Sequence, residues 1–128
     1  MGMNKAFVRL GGVPIIVHNL KHLNHLPHLS TVFIVVGPGE LGEGEKILRE
    51  YQQAYFPLLR WRLVAGGKER QNSVANALAQ VEDKDGWIAV HDGARPFATQ
   101  DLFTRVWDKA RETGAAIAAV PCKDTIKQ

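Results

Sequence analysis

Apolar runs of strand length alternate along this chain with segments of helical period, and that alternation constrains the fold more than any other feature. The runs are Thr31 to Val36, Arg62 to Ala65, Trp87 to Val90 and Ala115 to Val120. Each closes on a loop: Gly37-Pro38-Gly39, Gly66-Gly67, His91-Asp92-Gly93 and Pro121 respectively. Pro14 suits a first helical turn, where a missing N–H costs nothing, and Ile16, Leu20 and Leu23 follow on one face until Pro27 ends the helix. Glu45 to Tyr55, Glu69 to Val81 and Thr99 to Glu112 are predicted as three further helices, the last opened by Thr99 and closed by Gly114. The order after the first helix is β-α-β-α-β-α-β. It predicts an α/β fold: a Rossmann-like, doubly wound, mostly parallel sheet with helices on both faces.

A chain of 128 residues fits one domain with a real core. Lys plus Arg exceed Asp plus Glu by 16 − 13 = +3, and the basic residues are scattered. That balance suits an anionic small ligand; a nucleic-acid binder would show a basic stripe with interleaved aromatics, so no nucleic-acid partner is expected. The single cysteine excludes an intrachain disulfide and makes a reducing cytoplasm the expected compartment. No apolar run approaches the roughly 20 residues of a membrane span, so no membrane partner is expected either.

In doubly wound sheets ligands bind beyond the carboxyl ends of the strands, which directs attention to the loops there. Gly66-Gly67-Lys68-Glu69-Arg70-Gln71-Asn72-Ser73 lets a ligand approach the backbone closely and offers the N–H groups of a first helical turn. Ser73 adds a hydroxyl that donates and accepts; the competing reading is a plain β-α turn with Ser73 on the exposed side. In His91-Asp92-Gly93-Ala94-Arg95-Pro96 a carboxylate and a guanidinium stand three residues apart. Asp92 either holds a divalent cation or accepts from a substrate hydroxyl while Arg95 forks onto a phosphate, or the two simply pair and pin the turn. Pro121-Cys122-Lys123-Asp124-Thr125-Ile126-Lys127 is a third polar cluster on the same predicted edge, with Thr125 placed to bond a phosphate.

Other groups carry less. His18, His22 and His25 share a helix face opposite the apolar stripe, without the glutamate of an HExxH pattern, and read as a solvated face. Cys122 lacks a cysteine partner and an obvious histidine base, and reads as a small semi-buried side chain.

Together, Gly66-Gly67-x-x-Arg70-x-x-Ser73-Val74, His91-Asp92-Gly93-Ala94-Arg95-Pro96-Phe97 and Val120-Pro121-x-x-Asp124-Thr125-Ile126-Lys127 resemble, in order and spacing, the 2-C-methyl-D-erythritol 4-phosphate cytidylyltransferase family. Lys5 followed by Leu10-Gly11-Gly12-Val13-Pro14-Ile15 resembles a fourth element of that family. The resemblance implies a nucleotidyltransferase-type fold and transfer of CMP from CTP to the sugar-alcohol phosphate, with magnesium as the cation and pyrophosphate released. It implies that Lys5 stabilises charge on the α-phosphate and that Gly66, Gly67, Lys68 and Ser73 bind the nucleotide. Asp92, Gly93, Arg95 and Thr125 would bind the second substrate, and Asp92 would also be catalytic and hold the metal. A related enzyme acting on another polyol phosphate, such as ribitol 5-phosphate, shares the Gly-Gly and Asp-x-x-Arg-Pro patterns and is the alternative, as is an inactive fragment.

Family members also carry a first strand with a glycine-rich loop before the position of Met1, and continue beyond Gln128 with an arm used to form a homodimer. The resemblance therefore implies that residues 1–128 are one partial nucleotidyltransferase domain, with exposed strand edges and apolar surface and with little stability or activity alone.

Overall fold

The structure, a computed structural model, describes residues 4–121. They fall into two compact units, one up to Ala98 and one from Thr99.

The first unit opens with a single 3-10 turn, Lys5–Phe7, started by Asn4, whose Oδ1 accepts from the Ala6 amide at 3.1 Å. A short hairpin follows, β1 (Arg9–Leu10) antiparallel to β2 (Val13–Pro14). Its two-residue turn is Gly11-Gly12 at φ 60° and 83°, the left-handed pair that a tight hairpin of the mirror-image type requires. Sequence reasoning does not anticipate this hairpin. Pro14 precedes helix α1 (Ile15–Leu23), whose Ile16, Val17, Leu20 and Leu23 are buried.

Strand β3 (Val32–Val36) and strand β4 (Trp61–Ala65) pair in parallel, joined through helix α2 (Leu41–Tyr55). Helix α3 (Arg70–Leu78) follows β4. Leu63 packs beside Gly44 of α2, whereas Val35 stands beside Gly66 in the turn that leads into α3. Because neighbouring strand residues face opposite ways, α2 and α3 flank opposite faces of the sheet. Helix α1 packs on α2, and the buried core includes Phe7, Ile34, Leu48, Phe56, Leu59 and Val64. The α/β arrangement with parallel strands and helices on both faces is as expected.

Two expected strands do not form. Trp87 to Val90 and Ala115 to Val120 carry no strand structure, and among the described residues the parallel sheet has only β3 and β4. A strand exists through its ladder, and β propensity alone does not hold an extended segment in place. Ile88 and Val90 are 52% and 62% exposed.

The second unit contains helix α4 (Gln100–Thr113). As expected, Thr99 opens it, its Oγ1 accepting from the Leu102 amide at 3.3 Å, and Gly114 closes it at φ 86°. No helix among the described residues is long and apolar enough to cross a membrane.

Candidate active site

The two parallel strands end level with each other: Val36 pairs with Ala65, and the Gly66 amide then donates to the Val36 carbonyl at 2.7 Å. The loops that leave these strands therefore start side by side.

After β4, the glycine pair is held against the first turn of α3. The Gly67 amide donates to Ser73 Oγ at 3.1 Å, and the Glu69 amide to Asn72 Oδ1, also at 3.1 Å. Asn76 secures the same turn from further along the helix, its Nδ2 donating to the Ala65 carbonyl at 3.0 Å. A Cβ at position 67 would stand 2.4 Å from Asn72 Cβ, so that position demands glycine on steric grounds, and one at position 66 would be tightly placed at 3.0 Å from Ser73 Oγ. Ser73 is half-buried and turned toward the glycines, which corrects the reading that placed it on the exposed side of the helix. Its oxygen accepts from Gly67 and keeps its own proton for a ligand acceptor. Lys68 is exposed and makes no ion pair among the described residues.

After β3, Gly37 leads into a 3-10 turn, Pro38–Glu40. Glu40 Oε2 accepts from the Gly37 amide at 2.7 Å and from Asn4 Nδ2 at 3.0 Å. This carboxylate thus ties the strand-end loop to the turn that bears Lys5. Lys5 is exposed, and its ammonium has no ion pair among the described residues.

The third loop is the His91 to Pro96 turn. Arg95 donates its amide to the Asp92 carbonyl at 3.0 Å, and Asp92 Oδ1 accepts from the Ala94 amide at 3.5 Å. Asp92 Oδ2 lies 3.4 Å from Arg95 Nε, with the Arg95 side chain 79% exposed. The internal pair anticipated as one possibility is therefore present, and its exposure leaves the guanidinium accessible to a phosphate. The turn rests against the amino-terminal elements: Ala6 Cβ and Ile16 Cδ1 are 3.8 and 3.7 Å from where a Gly93 Cβ would stand. Burial pushes the His91 imidazole below its ordinary value of 6.5, against the opposing pull of the Asp92 carboxylate and a backbone bond at Arg95; the Arg95 charge adds to the lowering.

A continuous series of contacts thus runs from Ser73 through Gly67, Gly66, Val36, Gly37, Glu40 and Asn4 to Lys5, Ala6 and Gly93. Of the sequence-predicted site residues it includes Ser73, Gly67, Gly66, Lys5 and Gly93, while Lys68, Asp92 and Arg95 stand in the turns it joins; Thr125 lies outside the described residues with the rest of 122–128. The site's supporting residues, Asn4, Asn19, Glu40 and Asn76, were not singled out from sequence; isolated Asn and Glu side chains carry no spacing signal that separates a tether from a solvated surface group. A cleft of about 580 Å³ opens elsewhere, at the amino end of β4 beside Arg49, Arg60 and Trp61, and has no part in this edge.

Residues 1–128 match, throughout, the family described as 2-C-methyl-D-erythritol 4-phosphate cytidylyltransferase. The chain belongs to that family. It is 39% identical to the 2-C-methyl-D-erythritol 4-phosphate cytidylyltransferase of Syntrophus aciditrophicus, over 97% of this chain and 52% of that protein. It is 41% identical to the enzyme of the same name from Shouchella clausii, over 98% of this chain and 53% of that one. The fold is similar to that of 4-diphosphocytidyl-2C-methyl-D-erythritol synthase from Anaerococcus prevotii, with a TM-score of 0.72 and 22% identity, covering 87% of this chain and 46% of that one. The chain spans about half the length of the curated cytidylyltransferases it matches.

Proposed function

We propose that the protein is a cytidylyltransferase that transfers CMP from CTP to 2-C-methyl-D-erythritol 4-phosphate, releasing pyrophosphate, in isoprenoid precursor synthesis by the non-mevalonate route. The observation that carries this reading is the series of contacts linking the Gly66 to Ser73 turn with the Lys5 and Asp92 turns at one end of the strands.

In this reading Gly66, Gly67 and Lys68 accept the nucleotide, with Ser73 donating its hydroxyl proton to the base. A phosphate oxygen of methylerythritol phosphate attacks the α-phosphorus of CTP, forming the new diphosphate bond as the bond to the bridging oxygen breaks and pyrophosphate leaves. The ammonium of Lys5 stabilises the charge that grows on the α-phosphate, a contribution made by positioned charge without a covalent enzyme intermediate. Asp92 faces the sugar alcohol, Gly93 permits its close approach and Arg95 forks onto its phosphate, with Thr125 as a further contact.

Asp92 is a single carboxylate, and among the described residues no group of three or more His, Cys, Asp and Glu side chains is placed to hold a metal. That donor set fits magnesium arriving on the triphosphate, because magnesium keeps phosphate and water ligands and takes only one or two carboxylates. Asp92 would hold the ion, and the ion would supply charge neutralisation on the triphosphate. The protein is further proposed to act as a homodimer in the cytoplasm.

Pyrophosphate release from CTP, measured with methylerythritol phosphate and with ribitol 5-phosphate, tests the reading. Preferred turnover of methylerythritol phosphate is expected; a clear preference for ribitol phosphate overturns it.

A further inference from the structure

The geometry points to Asn19 as a positioning residue that holds the Asp92 to Arg95 turn in its ligand-binding form. The inference rests on the proposed function only for the identity of the ligand. Asn19 lies on α1 among Ile16, Leu20 and Leu23, on the face that packs into the core, and is 3% exposed. A polar side chain in such a place is costly unless its hydrogen bonds are made.

Both ends of the amide are used, and both reach across more than 70 residues to the same turn. Asn19 Nδ2 donates to the Gly93 carbonyl at 2.7 Å, and Asn19 Oδ1 lies 3.3 Å from His91 Nε2. A carbonyl can only accept, so the amide nitrogen must face Gly93 and the oxygen must face the imidazole. The oxygen in turn requires a proton on His91 Nε2. Asp92, the residue between these two anchors, is thereby fixed at both flanks while its exposed pair with Arg95 stays open to a ligand. Shape alone would be served by a leucine here, as at the neighbouring buried positions; the asparagine is explained by the turn it grips.

The substitutions Asn19→Asp and Asn19→Ala separate gripping from filling. Asp keeps the size and an acceptor for His91 but loses the donor to Gly93, placing a carboxylate oxygen against a carbonyl. Two measurements are made on folded protein. In the first, NMR backbone order parameters of Gly93 to Arg95 are expected to fall toward the flexible range, below roughly 0.6, while those of β3 and β4 stay near about 0.85. In the second, KM for the sugar-alcohol phosphate is expected to rise about tenfold with KM for CTP changed less than about twofold, as loss of one buried hydrogen bond predicts.

Unchanged order in both variants overturns the proposal, as does a rise in KM shared equally by both substrates. Asn19→Gln, which restores both groups on a longer stem, is expected to recover part of the discrimination; a variant no better than Ala overturns it. Should the wild-type protein not turn over methylerythritol phosphate, the functional reading fails, and the order parameters still decide the role of Asn19.

Discussion

Glu40 and Asn4, separated by 36 residues, meet through one hydrogen bond of 3.0 Å, and the same carboxylate oxygen also accepts from the Gly37 amide. One side chain therefore holds together the loop after β3 and the turn that presents Lys5. Glu40→Ala removes both bonds and is expected to lower stability by about 1–2 kcal/mol, as loss of a partly buried acceptor serving two donors does. Glu40→Gln retains an oxygen able to accept from both and should cost less than half as much. Denaturant melts of the two variants check this; equal losses would show that the carboxylate charge, and not the acceptor geometry, is what matters.

Gly67 has no room for a methyl group, since a Cβ there would sit 2.4 Å from Asn72 Cβ and 3.2 Å from the Asn72 carbonyl carbon. One of these neighbours is backbone, so the first turn of α3 must move. Gly67→Ala is expected to cost about 1–3 kcal/mol in stability. It should also weaken CTP binding by about tenfold or more, because the Ser73 hydroxyl moves with the turn. Isothermal titration with CTP measures the second effect, and wild-type affinity in this variant would remove the glycine pair from the nucleotide site.

Arg95 and Asp92 form an exposed pair, and exposed pairs contribute only about 0–1 kcal/mol to stability. Arg95→Ala should accordingly leave the thermal midpoint almost unchanged while raising KM for the sugar-alcohol phosphate by about tenfold or more. A large thermal shift without a change in KM would mean that the pair only pins its turn.

His91 sets a pH dependence whose sign follows from burial. Its folded-state value lies below the ordinary 6.5, so in the interval between the two the unfolded chain binds more protons than the folded one. Stability contributed by the neutral ring is complete above about pH 6.5 and is lost as pH falls toward the folded value, levelling off beneath it. Urea midpoints between about pH 7.5 and about pH 5.5 should show this slope, and His91→Gln should flatten it. A slope unchanged in that variant would assign the titration to another group.

The local pattern made much of this fold legible. Val32 to Val36 and the stretch around Leu63 are β-branched or apolar runs closed by glycine, and the helices between them repeat at 3.6 residues, so their positions follow from period alone. Thr99 and Gly114 mark the ends of α4 by cap chemistry. The expected strand at Trp87 to Val90 shows the limit of that reasoning: its composition is right, but strand formation depends on a neighbour that composition does not encode. The hairpin at Gly11-Gly12 was also legible in principle, since paired glycines between two short apolar stretches announce a tight turn. At the site, the residues that would touch ligand stood out because glycine pairs and a carboxylate beside a guanidinium are unusual after a strand. Asn19 did not, because it sits inside an apolar stripe and its two partners lie far along the chain.

The level ending of β3 and β4 has a consequence for how the chain tolerates changes in length. Their register is a residue-for-residue match from Val32 with Trp61 to Val36 with Ala65. An insertion absorbed at exposed Leu58 would leave that ladder intact, whereas one inside β4 would invert the facing of every later side chain in the strand. Leu63 would turn from α2, and Gly66 would no longer meet the Val36 carbonyl. Between Trp61 and Gly67 length variation is therefore excluded, because a single extra residue there would move the glycine pair out of step with the rest of the site.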